Sequence, residues 1–495
     1  MPSLRDTSRR HGTGGARALV AALLLAAGLA AAEPVRLHRF TVSIDPELTQ
    51  IAVRACFQGK PPEALVAGSL DAPLALVEAR VEGARKPIEP SGSLSMKSVP
   101  DDGCVAYRVD VSRPIRRHDR SGDKVYRVGR DLLVSVGLWF WRPERLGADE
   151  DAVVEFALPE DVAVSAPWQP VSPAVRPTFR LGRTPYDWPA TVAFGRFRER
   201  EIRVGGARLR LAVLDGAPQV DADRIQAWLT EAAQIIAGLY GRFPVRQAQL
   251  LVVPNARGNE PTPWAYVVRG GGPAVHFFVN QHRPIEEFFE DWTAVHELSH
   301  LTLPFVGDED AWLSEGVATY YQNVLRARAG KLTARDAWAR MHAGFLRGRE
   351  SAAGMTLEQA TASMDRGGSF LRVYWEGAAM VLLADVRLRQ LTAGKQSMDS
   401  ALATLHECCL GEDRAWTAVE LFDKLDEITG THVFRELYQA HVRSKPFPDL
   451  NGVYRQLGLQ PVSGGLELLP DAPRKDVRDA IMNEAAMFVS GLEGR

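Results

Sequence analysis

Residues 291–300 read Asp-Trp-Thr-Ala-Val-His-Glu-Leu-Ser-His, which sets His296 and His300 four apart with Glu297 directly after the first. A helix turns about 100° per residue, so on a helix both imidazoles project from one face, one turn apart, and can bind a single metal ion. Glu297 then lies next to that ion without ligating it, placed to take a proton from a water the metal activates. Downstream, Trp312-Leu313-Ser314-Glu315-Gly316 opens a second predicted helix after a break at Pro304 and Gly307. If the chain turns back there, the Glu315 carboxylate faces the two histidines. Two His and one Glu, with the fourth position left to water, is a donor set that catalytic zinc takes. The residues therefore predict one Zn2+ held by His296, His300 and Glu315, and metal-assisted hydrolysis with Glu297 as general base.

The elements that must position these residues can be read from periodicity. From Pro284 to about Lys445 nearly every segment has helical spacing, with breaks at Pro304, Gly330, Gly367-Gly368, Gly394 and Gly411. Ahead of it come a hairpin around Gly205-Gly206, a helix from about Ala222 to Tyr240, and strands at Gln249–Val253, Trp264–Val268 and Ala274–Val279. These predict a small sheet beside the helices. Ala274–Val279, just before the metal helix, is the expected edge strand for an extended substrate. His276 on that strand is read as structural and left out of the catalytic set. From about Arg36 to Pro170 short β-branched or alternating runs separated by Gly, Pro and Asp predict a β-sandwich, and the Pro-punctuated stretch Pro167–Pro189 reads as a connector.

The fold class is thus multidomain α+β: a signal segment over 1–32, an N-terminal β-sandwich over 33–175, a catalytic domain of small mixed sheet plus helical bundle over 176–445, and a C-terminal extension over 446–495. Arg5, Arg9, Arg10 and Arg17 precede or open an Ala- and Leu-rich run ending in Ala30-Ala31-Ala32, the pattern of a cleaved export signal, with an uncleaved anchor as the alternative. The expected location is periplasmic or secreted, with no membrane span in the mature chain. The 495 residues carry 59 Lys+Arg against 61 Asp+Glu and no basic patch, which excludes a bulk electrostatic attraction to nucleic acid. Four cysteines are too few for a disulfide scaffold. In an oxidising compartment Cys56 and Cys104 could be joined, whereas adjacent Cys408 and Cys409 read as small buried hydrophobes.

His296-Glu297-Leu298-Ser299-His300 followed by Trp312-Leu313-Ser314-Glu315-Gly316 resembles the gluzincin metallopeptidases. Tyr374-Trp375-Glu376-Gly377 resembles the Tyr-x-Lys-Gly segment of the aminopeptidase N group, and the overall likeness is to the glycyl aminopeptidase family. The resemblance implies an N-terminal β-domain before a thermolysin-like catalytic domain, a peptide substrate, and a role for the Tyr374 hydroxyl as donor to the oxyanion. The sequence departs from that pattern in three ways. The fourteen residues between His300 and Glu315 make a shorter loop than in that group. The Gly-x-Met-Glu-Asn exopeptidase segment is absent, Arg269-Gly270-Gly271-Gly272 standing in its approximate place, with Glu286, Glu287, Glu290 and Asp291 the nearest acids that could grip a substrate's amine. The segment after Leu459 is too short for the PDZ domain that glycyl aminopeptidases carry. An aminopeptidase-like activity is the leading expectation; an endopeptidase of the same clan and a non-catalytic peptide-binding protein remain as alternatives.

Overall fold

The computed structural model describes residues 35–483 apart from 90–91, 113–124, 217, 256, 365–366 and 412. The expected signal segment, 1–32, lies outside the described residues. The described residues from Arg36 onward form one compact unit.

The first part stacks two sheets. In the seven-stranded sheet the order is Gln169–Pro170, Thr178–Arg180, Glu150–Phe156, Arg36–Ile44, Gln50–Cys56, Cys104–Asp110, Leu76–Val81. The four-stranded sheet runs Ala163–Ser165, Thr191–Gly195, Asp131–Ser135, Val125–Val128. Arg36–Ile44 alternates as a half-buried strand should, with Phe40, Val42 and Ile44 turned into the core shared by the two sheets. Asp131–Ser135 and Thr191–Gly195 instead are buried throughout. Their Leu132, Val134, Val192 and Phe194 face the seven-stranded sheet, while Leu133 and Ala193 pack with Ala212, Leu251, Val253 and Phe278 of the sheet that follows. A strand covered on both faces has no reason to alternate.

Two expectations are corrected here. Pro167–Pro189 is not a connector, because it supplies two strands to the larger sheet, and Thr191–Gly195 supplies one to the smaller. The sandwich strands therefore run to Gly195, past the expected boundary at 175. The prolines mislead because an edge strand tolerates them: Gln169–Pro170 is exposed at the sheet's rim. The expected extension after 446 is also not separate. Leu457, Leu459, Leu466, Val477 and Ile481 belong to the same core as the helices.

The third sheet has the order Arg200–Val204, Ala207–Val213, Gln247–Pro254, Ala274–Val279, Trp264–Val268. The helix Ala222–Ala237 is the crossover between the parallel strands Ala207–Val213 and Gln247–Pro254. It starts where the Asp221 carboxylate accepts from the backbone N–H of Asp223 and Arg224, and its Trp228 meets Phe277 of the sheet edge-on at 5.5 Å. Ala274–Val279 is interior, paired on both sides, so it is not the edge strand expected from the sequence; Trp264–Val268 is. His276 is wholly buried against Tyr266, and burial pushes its imidazole down to about 3.

Cys56 and Cys104 face each other on neighbouring strands and are bonded. Cys408 and Cys409 are bonded as well, contrary to the expectation of separate buried thiols. The helix Met398–Cys408 ends between them and Cys409, at φ −135°, has left helical geometry.

Two long helices carry the residues opposite the histidine motif: Ala311–Arg328 and Phe370–Leu391. They cross at Gly316 and Gly377, where a Cβ on Gly316 would lie 2.5 Å from the Gly377 carbonyl carbon and one on Gly377 would lie 2.3 Å from the Trp312 carbonyl oxygen. One buried bond, Tyr320 to Asp385, joins the two helices, and others tie Ala311–Arg328 to the following helix, Met398–Cys408. The Tyr320 hydroxyl donates to Asp385 at 2.8 Å, Arg389 donates to the same carboxylate at 3.0 Å, and Tyr321 and Arg328 both donate to Asp399. Since the close contact at Gly316 is with backbone, Gly316→Val must separate the helices. A loss of about 3 kcal/mol in urea unfolding is expected, with weakened metal binding; an unchanged midpoint would show that the crossing relaxes freely.

Candidate metal centre

The motif helix, Thr293–Ser299, is buried along its whole length and continues into a 3₁₀ turn, His300–Thr302. Val295 and Leu298 pack in the core, which turns His296 and Glu297 the other way. The end of this short helix is held by Arg269, whose Nη2 donates to the carbonyls of His300 (2.8 Å) and Leu303 (3.1 Å). Its beginning is held by Arg326, which donates to the carbonyl of Glu290.

His296, His300 and Glu315 converge. One ligand atom from each lies within 4.8 Å of the others. Glu315 Oε2 is 3.2 Å from His296 Nε2 and 3.6 Å from His300 Nε2. The far nitrogens are engaged elsewhere: His296 Nδ1 is 2.8 Å from Gln322 Oε1, and His300 Nδ1 is 2.8 Å from Ser314 Oγ. With Nδ1–H donating to those oxygens, each Nε2 presents its lone pair toward the Glu315 carboxylate. Two imidazole nitrogens and a carboxylate oxygen so arranged fit zinc.

Gln322 and Ser314 were not found by sequence reasoning, which assigned no group to orient the histidines; the acids near in sequence are engaged elsewhere. Asp291 accepts from the backbone of Trp292, and Asp310 from Trp312 and the backbone of Ala418. A signal did exist. Ser314 precedes Glu315, and Gln322 lies seven residues after it, two turns along the same helix face. Replacing Gln322 by Leu removes the acceptor from a buried ring nitrogen, and zinc affinity measured by competition with a chelator should fall about 10- to 100-fold. Unaltered affinity would show that packing alone orients His296.

Charges in the site are strongly coupled. Burial disfavours the charged imidazole of His296, but the hydrogen bond and charge of Glu315 outweigh it and the net shift is upward. Burial takes His300 down to about 4. Burial would also raise Glu315, yet the two imidazoles bring it below the usual carboxylate range. Glu297, 8% exposed, is raised to about 7 by burial, with His296 opposing and Glu315 adding to the shift.

Tyr374 comes from the crossing helix. Its ring stacks on that of His296, centroids 5.7 Å apart, and its hydroxyl lies beside the Glu315 carboxylate. Of the acids considered as amine anchors, Glu286 is engaged by Arg224 and Glu287 by Arg283, both on the surface. The motif helix touches the true edge strand, Trp264–Val268.

The fold is similar to that of solved aminopeptidase N family and M1 zinc metallopeptidase structures. An aminopeptidase N family protein from Idiomarina loihiensis superposes over 86% of this chain and 78% of its own, with a TM-score of 0.62 and 15% identity. An M1 zinc metallopeptidase from Deinococcus radiodurans matches 84% of this chain and 95% of its own, with a TM-score of 0.50 and 15% identity. No protein-family model and no curated protein matches the chain.

Proposed function

We propose that the protein is an exported zinc-dependent metallopeptidase with an aminopeptidase-like activity. The observation that carries this reading is the convergence of His296 Nε2, His300 Nε2 and a Glu315 oxygen, with Glu297 adjacent on the same helix. Zinc, when bound by these three residues, supplies a Lewis acid that polarises the scissile carbonyl and acidifies a water. Glu297 accepts that water's proton and returns it to the departing amine. Tyr374 offers its hydroxyl to the oxygen on which negative charge develops, and the stacked His296 ring and the Glu315 carboxylate fix where that hydroxyl sits. The two disulfides, and the N-terminal segment read as a signal, support export. Among the described residues no helix is long and apolar enough to cross a membrane.

An endopeptidase is the second reading. It is favoured by the free edge of Trp264–Val268 beside the motif helix, which could pair with an extended peptide running through the site. Metal content of the mature protein, together with hydrolysis of a mixed peptide pool with and without a chelator, decides between the readings. One zinc and chelator-sensitive trimming from amino termini is the expected result, and internal cuts would mean an endopeptidase. Zinc without cleavage would mean a peptide-binding protein, and no zinc would overturn the ligand set.

A further inference from the structure

A cavity of about 350 Å³ adjoins the metal centre, lined by Trp292, Gln322 and Tyr374 and also by Phe370 and Trp375. Three of these residues touch His296: Gln322 bonds it, Tyr374 stacks on it, and the Trp292 ring stands edge-on to it at 5.2 Å. Whatever enters the cavity is therefore within one side chain of the reacting centre.

Its polar wall is cationic. Arg326, Arg340 and Arg347 all line it. Arg326 is 3% exposed; its Nη2 donates to the Glu290 carbonyl, but its Nη1 is buried with no hydrogen-bond partner. The Thr319 hydroxyl on the same wall is likewise buried and without a partner. Arg340 is exposed and makes no ion pair among the described residues, and the Arg347 guanidinium lies over the Trp375 ring. Acids nearby are Glu290 and Asp291, which precede the motif helix; neither forms an ion pair with Arg326, and burial holds the Asp291 carboxyl above its usual range. A buried guanidinium N–H with no acceptor is costly, and an anion entering the cavity would relieve that cost.

We propose that this cavity is a substrate subsite for a carboxylate, held by Arg326 and Arg340 with Thr319 as an additional donor. A planar carboxylate matches the guanidinium fork, and the volume suits one residue of a peptide rather than a longer segment. The carboxylate could be an Asp or Glu side chain, or the free C-terminus of a short peptide. The inference rests on the peptidase reading and adds a substrate class to it.

The test uses matched short peptides, Glu against Gln at each position and free acid against C-terminal amide, scored as kcat/KM ratios on the zinc-loaded enzyme. The wild type should favour one acidic member about 10- to 100-fold over its neutral partner, and which pair shows the preference identifies the source of the carboxylate. In Arg340→Gln the ratio should fall to within about threefold of one. Arg326→Lys, which keeps the charge but loses the fork, should lower it less, and covers the case in which the fully neutral Arg326→Gln fails to fold. Equal rates for acidic and neutral members, or a preference that survives Arg340→Gln, would overturn the subsite while leaving the peptidase reading intact. Absence of any hydrolysis would overturn that reading instead. Calorimetric binding of the same peptides to zinc-loaded Glu297→Gln protein then decides the subsite by itself, since equal affinities for acidic and neutral partners would reject it.

Discussion

Glu297→Gln should reduce kcat on a cleaved peptide by about 10²- to 10⁴-fold while the purified protein keeps its zinc. The amide keeps the volume and lies outside the three converging ligand atoms, so the metal set is untouched; what it lacks is the basicity to accept a proton. Zinc analysis beside single-turnover hydrolysis checks both halves. Wild-type turnover in the variant would exclude Glu297 as the base, and joint loss of zinc and activity would make it a structural part of the metal site.

Tyr374→Phe should lower kcat by about 10²- to 10³-fold with little change in KM, because its hydroxyl contributes as charge builds on the carbonyl oxygen and not when substrate binds. The ring that stacks on His296 is retained, so the change isolates the hydroxyl. A tyrosine serving only to satisfy a buried neighbour would behave otherwise. Its loss would cost about 1 kcal/mol of stability and leave kcat alone. Steady-state kinetics and a denaturation curve on the same preparation separate the two outcomes.

Zinc removal and these two variants probe residues that sequence spacing already singled out, but the reasons for their placement were not equally visible. His296 and His300 share a face because of helical pitch, a local property. Glu315 could be placed only by assuming that the chain reverses between Pro304 and Gly307, and the reversal depends on contacts from elsewhere: Trp416 pairs with Val306, and the backbone of Ala418 donates to Asp310. Gly316 reads in the sequence as part of a resemblance. In the structure it is the point at which the Glu315 and Tyr374 helices touch, and a side chain there would hold them apart.

The strands of the third sheet were legible almost residue by residue, whereas their order was not. Ala274–Val279 and Trp264–Val268 have similar composition, and nothing local distinguishes an interior strand from an edge. Pairing with Gln247–Pro254 decides it, and with it which backbone is free to meet a substrate. The strands of 169–195 were missed for a related reason: prolines that break a central strand are harmless on a rim.

By itself, the sequence determined the local part of this site: two imidazoles at helical spacing with a carboxylate, Glu297, next to the first, and the strands and helices that bear them, all consequences of backbone periodicity acting over a few residues. Only the tertiary structure decided that Gln322 and Ser314 aim the imidazoles, that Trp264–Val268 is the open edge, and that Arg326 and Arg340 meet in a cavity next to His296. Those facts depend on segments far apart in the chain being brought together, and helix crossing and sheet order, not local spacing, set which ones meet.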